Sequence, residues 1–211
     1  MLRVWVMLLL LAPAMVWALG DPQRGEQLAA VCSACHGQDG NSVVPEWPKI
    51  AGQHQDYAAR QSILIRERRR DVPQMWPMVA GLSDQDIWDI AAYFERFEGA
   101  IGVADEDLVE HGRSLYMGGD HSAGIASCAG CHGPSGEGIP GAHFPKLRGQ
   151  HADYTADRLR RYRAGENNGD DDPYSNIMLA VARKLSDADI AALASYIEGL
   201  HMARFDELAN R

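Results

Sequence analysis

The sequence predicts an all-α protein made of two tandem domains, and three observations carry that prediction. Apolar residues recur at helical spacing in Ile87, Ile90, Ala91 and Phe94, and again in Ile190, Leu193, Ala194 and Ile197. No segment alternates apolar and polar residues as a half-buried strand does. The chain also repeats itself. VCSACHGQDGN, WPKIAGQHQDY and LSDQDIWDIAAYFE in the first half return as SCAGCHGPSGE, FPKLRGQHADY and LSDADIAALASYIE in the second. Two copies are too few for a solenoid, so the repeat means two small domains. Gly99 to Ala104, a stretch of small and apolar residues, separates the copies. The expected division is 19–100 and 101–211.

The elements follow in order. Residues 1–18 read as a secretory signal peptide: Arg3 forms a short basic start, Val4 to Leu11 is apolar, and Ala14 to Ala18 offers small residues for cleavage. The rival reading is a retained anchor. Pro13 interrupts the apolar run, however, and the run falls short of the ~20 residues a spanning helix needs. A first helix is expected over Asp21 to Val31 and a second over Gln53 to Arg70. Ser83 and Ser186 are N-caps, each followed by acidic residues in the first turn, where negative charge suits the helix dipole. Units of this size with long Gly- and Pro-containing loops have thin cores and commonly need a staple.

The staple is legible in Cys32-Ser-Ala-Cys35-His36 and Cys128-Ala-Gly-Cys131-His132. Cys-x-x-Cys-His is the spacing of c-type haem attachment. Two thiols one helical turn apart reach the two vinyl groups of one porphyrin, and the adjacent imidazole points at the iron. A thioredoxin-like pair would follow a strand, which is not predicted here. A zinc site needs further ligands at short spacing. Disulfides leave the repeated His unexplained. Two covalent haems are therefore expected, with His36 and His132 as iron ligands.

The opposite axial ligand is chosen by the repeat. Met75 lies seven residues before Leu82, and Met178 lies seven before Leu185. Met78 aligns with Val181 and has no counterpart. Met75 and Met178 are the expected ligands, against the plain alternative that they fill core gaps. His54 and His151, in the repeated GQH, are the rival ligands, with a structural or surface role the expectation for both. His111, His121, His143 and His201 are unpaired by the repeat and expected at the surface. Met/His ligation raises the reduction potential and fills both axial positions. An iron so closed has no open position for substrate, which suits an electron carrier and not an enzyme.

The 211 residues carry 20 basic and 29 acidic side chains, a net charge of -9. That balance argues against a nucleic-acid partner and for steering by a basic surface on a protein partner. Arg66, Arg68, Arg69 and Arg70, and Arg158, Arg160, Arg161 and Arg163, cluster in matching regions. They are read either as haem-propionate or docking residues or as a solvated helix face. Tyr57 and Tyr154 also match, with a propionate bond or simple packing both open. The Asp170 to Asp172 run is expected to be solvated surface.

On the paired haem motifs, the PK[IL]xGQH blocks and the LSD[AQ]DI blocks, the chain resembles the cytochrome c4 family of bacterial di-haem cytochromes. The resemblance spans GDPQRGEQLAAVCSACHG to AALASYIEGL. It implies a class I cytochrome c fold for each half, packed with approximate two-fold symmetry. It further implies that Pro48 and Pro145 accept the Nδ1 hydrogen bond of the iron-bound histidines. Family members are periplasmic, free or attached to the membrane surface, and feed electrons to a terminal oxidase or similar acceptor. A monomer working with protein redox partners is expected. The rival functions are the di-haem subunit of a flavocytochrome c sulfide dehydrogenase and, from a different class, a di-haem peroxidase.

Overall fold

The computed structural model describes residues 20–202; the signal-peptide segment 1–18 lies outside them. Ten helices follow in order: α1 (Pro22–Leu28), α2 (Ala30–His36), α3 (Gln55–Arg66), α4 (Trp76–Val79), α5 (Asp84–Glu95), α6 (Glu106–Gly118), α7 (Ala129–His132), α8 (Ala152–Arg163), α9 (Pro173–Ala182) and α10 (Asp187–Gly199). The second five repeat the first five. Among the described residues there is no strand, only isolated bridges between Asp120 and Ile125 and between Ile139 and Phe144.

In each domain the first and third long helices pack on the last: α1 and α3 on α5, α6 and α8 on α10. Glycine permits the first of these contacts. A Cβ at Gly25 would lie 2.0 Å from the Asp89 carbonyl oxygen, and one at Gly112 would lie 2.2 Å from that of Ala192. The backbones therefore meet where no other side chain fits. Buried Asp89 fastens the first crossing, accepting from the Asp21 amide at 2.7 Å and from Arg24 at 2.6 Å.

The last helix of each domain starts as its sequence dictates. Ser83 and Asp86 form a reciprocal capping box, as do Ser186 and Asp189. An arginine then clips that start to the preceding helix. Arg66 donates to the Leu82 carbonyl and to Asp84, and Arg163 donates to the Leu185 carbonyl and to Asp187. These two arginines are thus engaged within their own domains rather than free solvated charges.

Two helices differ from their predicted spans. The helix expected over Asp21 to Val31 divides at Ala29, where the Cys32 amide makes a tight bond back to the Ala29 carbonyl; the Cys-x-x-Cys-His stretch becomes a helix of its own. The helix expected over Gln53 to Arg70 is shorter at both ends. Gln53 and His54 are engaged with the other domain, as described below. At the far end Arg68 takes φ +59°, and the Arg69 and Arg70 amides both turn back to the Leu64 carbonyl. Gly165 occupies the corresponding turn at φ +95°. Arg68 lays its guanidinium 3.9 Å from the Trp76 ring centre, which offsets part of the cost of a left-handed non-glycine residue.

The protein core is unequal. The second domain gathers Leu115, Tyr116, Ile125, Ile190, Leu193 and Ile197 around α10, whereas the α3–α5 contact of the first rests on Ala59, Ile87 and Ala91. Enlarging either helix-crossing glycine should be costly. Gly25→Ala and Gly112→Ala are each expected to lower the thermal midpoint, the overpacking being worth about 1–3 kcal/mol. Circular dichroism melts of the holoprotein check this, and a surface control, Gly118→Ala, where a Cβ meets nothing within 4 Å, should melt near the wild type.

Candidate cofactor sites

Each Cys-x-x-Cys-His segment is helical, so its two thiols and its imidazole emerge from about one turn of backbone. The four thiols are free of disulfides. Burial raises the Cys32 thiol above its ordinary value and pushes that of Cys128 up to about 11. Protonated, unpaired thiols of this kind retain the chemistry for a thioether bond. His36 and His132 are buried. The His36 Nδ1 lies 2.8 Å from the Pro48 carbonyl oxygen, and the His132 Nδ1 lies 3.0 Å from that of Pro145. A carbonyl only accepts, so Nδ1 carries the proton and Nε2 keeps its lone pair. Burial lowers both imidazoles' affinity for a second proton, against the opposing pull of the proline carbonyls. Both rings are therefore held neutral, in the tautomer that offers Nε2 to a metal.

Met75 is half-buried at the start of α4, and Met178 is half-buried within α9. Met78 stands 41% exposed, which separates it from Met75 on structural grounds as well. The turn between α3 and α4 bounds a cleft of about 230 Å³ whose lining includes Ile65, Arg68, Arg70, Asp71, Pro73 and Trp76.

The repeated GQH segments lie at the domain interface, bonded to each other's domain. Gln150 accepts from the Lys49 amide at 2.9 Å and donates to the Lys49 carbonyl at 2.8 Å. Gln53 does the same to Lys146, at 3.0 and 2.9 Å. His54 Nε2 donates to the Glu137 carbonyl and His151 Nε2 to the Ser42 carbonyl, each at 2.8 Å. These imidazoles serve the interface: each Nε2 is committed to a carbonyl across it, and the Nδ1 atoms face Glu95 at 4.0 Å and Glu198 at 3.5 Å. His143 is also half-buried there, its Nδ1 3.2 Å from an Asp56 oxygen.

The arginine clusters divide among different tasks. Arg69 donates across the interface to the Asn168 carbonyl and to Asp171. Arg161 and Arg158 pair with Glu166. Arg70 is buried, donating to Gln61 and to the Tyr154 hydroxyl at 2.9 Å each, while its Nε has no hydrogen-bond partner among the described residues. Arg148 Nη1 is buried and unpartnered in the same way. Burial raises the Tyr57 phenol; on Tyr154 the charges of Arg70 and Arg158 outweigh burial and lower it.

The Asp170 to Asp172 run corrects the expectation of solvated surface. Asp170 and Asp171 are exposed, but Asp172 is fully buried. It caps α9 and accepts from Arg60 of the first domain at 2.5 Å and from Asn168 at 3.0 Å. No sequence neighbour announces this, because Arg60 is 112 residues away.

These features fit a covalently held haem in each domain. Paired free thiols, a neutral imidazole with a free Nε2 and a thin protein core suit an apolar macrocycle. Buried guanidinium atoms lacking a partner suit its carboxylates. Arg70 and Arg148 are the residues best placed by chemistry for that anionic edge.

Comparison with known proteins agrees. The cytochrome c family model matches residues 22–96 and 109–201. Cytochrome c4 of Pseudomonas aeruginosa is 46% identical over 200 residues, covering 95% of this chain and 98% of that protein. The crystal structure of reduced recombinant cytochrome c4 from Pseudomonas stutzeri superposes with a TM-score of 0.82 at 46% identity, covering 86% of this chain and all of that one. A thiosulfate dehydrogenase electron acceptor from Stutzerimonas stutzeri is 34% identical, covering 82% and 81% of the two chains.

The buried Arg60–Asp172 pair yields a stability test. Burial raises the Asp172 carboxyl, but bonds from Ser175, Asn168 and Arg60 outweigh it and hold it below the usual range. Its contribution is therefore complete above the unfolded value near 3.9 and is lost as pH falls through the lower folded value. Arg60→Ala is expected to cost about 3 kcal/mol at neutral pH, because it strands a buried carboxylate. Double substitution with Asp172→Asn should recover part of that loss. Urea unfolding at pH 7 and pH 3 measures both effects, and the penalty of Arg60→Ala should shrink at the lower pH.

Proposed function

The chain belongs to the cytochrome c4 family, and from that premise we propose a periplasmic electron carrier that delivers electrons to a terminal oxidase or similar respiratory acceptor. The protein is a di-haem c-type cytochrome with two covalent haem c groups, an electron-transfer protein and not an enzyme. Each haem, when bound, supplies an iron that gains and loses one electron.

The proposed assignment of residues follows from their chemistry. Cys32 and Cys35, and Cys128 and Cys131, form the thioether bonds. His36 and Met75 ligate one iron, and His132 and Met178 the other. Pro48 and Pro145 hold the histidine rings in the tautomer that presents Nε2. The observation that carries this reading is the pair of Nδ1–proline carbonyl bonds, made alike in both domains. The domains are taken to divide between residues 100 and 101. The segment 1–18 is taken as an export signal removed in the periplasm. Among the described residues no helix is long and apolar enough to cross a membrane, so any membrane association of residues 20–202 would be peripheral.

The relatives named as thiosulfate dehydrogenase electron acceptors favour a second reading, in which the same carrier takes electrons from a thiosulfate-oxidising enzyme. Both readings use the same closed irons and differ only in the donor. The rival role as a subunit of a flavocytochrome c sulfide dehydrogenase would require a flavin-bearing partner to co-purify.

Two measurements test the ligation. The reduced wild-type protein is expected to bind carbon monoxide negligibly at neutral pH, because both axial positions are filled. Met75→Ala and Met178→Ala should each remove about half of the methionine–iron charge-transfer absorption of the oxidised protein and open one iron to carbon monoxide. Ready binding by the wild type, or a variant retaining the full absorption, overturns the assignment.

A further inference from the structure

We infer that Gln53 and Gln150 are crossed positioning residues, each setting the reduction potential of the haem carried by the other domain. The inference rests on the His/Met ligation proposed above. Its geometric basis is one shared peptide group. The Pro48 carbonyl, which accepts from His36 Nδ1 at 2.8 Å, and the Lys49 N–H, which donates to Gln150 Oε1 at 2.9 Å, are the two ends of a single amide. The Pro145 carbonyl and the Lys146 N–H form the mirror relay, between His132 at 3.0 Å and Gln53 Oε1 at 3.0 Å.

Amide resonance couples the two ends. Donation from the N–H to a glutamine oxygen shifts electron density onto the carbonyl oxygen and makes it a better acceptor, the polarisation that strengthens hydrogen bonds in chains. A better acceptor draws the Nδ1 proton harder and gives the imidazole more anionic character at Nε2. A more basic ligand favours ferric over ferrous iron and so lowers the potential. The second bond of each clamp, from the glutamine Nε2 to the lysine carbonyl, falls on the next peptide group and holds the glutamine in register with that lysine. The local geometry therefore makes a histidine's environment depend on whether the opposite domain is docked.

The reach is specific to the glutamines. His54 and His151 also cross the interface, but they bond the carbonyls of Glu137 and Ser42, away from the proline peptide. Lys49 Nζ donates to the Ala100 carbonyl of the linker and to the Gly149 carbonyl of the second domain, and it bonds neither the proline carbonyl nor the glutamine side chain of the relay.

The test uses the mature holoprotein, with Gln150→Leu and Gln53→Leu compared by potentiometric titration. Haem-methyl NMR resonances follow each haem separately. Gln150→Leu is expected to raise the potential of the Cys32/Cys35 haem, changing its reduced-to-oxidised ratio at fixed potential by about threefold to tenfold, where tenfold is 59 mV for one electron. Gln53→Leu should do the same to the Cys128/Cys131 haem. Lys49 or Lys146 should correspondingly lose amide-exchange protection. A shift confined to the substituted domain, equal shifts in both haems, or none overturns the inference; general loosening of the interface would move both alike. Gln150→Glu, which keeps the acceptor and adds negative charge, should lower the potential that Gln150→Leu raises, and a rise overturns the relay. Should the leucine variants not fold, slow exchange of the Lys49 and Lys146 amides in the wild type is still required, and rapid exchange overturns the inference. Absence of the methionine–iron band in the wild type would overturn the ligation itself; its presence with uncrossed shifts would overturn only the relay.

Discussion

The hydrogen bond from each Cys-x-x-Cys-His imidazole to a proline carbonyl is the constraint on which the rest of the protein depends. It determines which nitrogen holds the proton, and so which nitrogen is available to iron. It also ties a helix to a loop that follows it by a dozen residues: His36 to Pro48 and His132 to Pro145. That loop runs directly into the GQH segment and the next long helix. The position of the metal ligand and the position of α3 or α8 are consequently set together. The helix-crossing glycines fix the other half of each domain, letting α1 meet α5 and α6 meet α10 at backbone distance.

The interface extends that constraint between domains. A pair of glutamine clamps and a pair of histidine bonds form its symmetric part. Around it the charged contacts differ in the two directions. Arg60, Arg69 and Arg70 of the first domain reach Asp172, Asp171 and Tyr154 of the second, while Asp56 of the first domain meets the Gly141 amide and His143 of the second. Duplication supplied two like domains, and the asymmetric charges make them unlike. The charged side chains around the two haem sites therefore differ between the domains.

The sequence made the local features plain. The N-caps at Ser83 and Ser186 were legible because the acidic residues that mark them lie within the next three positions, and the structure completes each as a capping box. The haem motifs were legible because two cysteines and a histidine at fixed spacing specify one chemistry. Met75 was separated from Met78 by the repeat alone, and exposure of Met78 separates them again. Contacts that close over long separations were not legible. Asp172 sits in an acidic run that reads as surface; only the fold brings Arg60 to it and buries it. GQH was visibly repeated, yet nothing in a linear sequence tells that its glutamine and histidine bond the other copy. Arg68 in a left-handed turn breaks a helix that its composition would continue, and the Trp76 ring that accepts it lies beyond the turn.

A repeated polar pair with no local partner is therefore informative in a duplicated chain. Gln53 and Gln150 each bear a donor and an acceptor, and neither is used within its own repeat except by the amide of the following histidine. A two-fold interface satisfies both at once, since the same pair of bonds made in one direction is made in the other. The amide side chain is the smallest group that bonds both the N–H and the C=O of one residue as a neighbouring strand would. Two such contacts substitute for a sheet between domains that have none. They fasten the interface at the peptides next to the metal ligands, so docking and iron environment are parts of one hydrogen-bonded chain: His36, Pro48, Lys49, Gln150 on one side, and His132, Pro145, Lys146, Gln53 on the other.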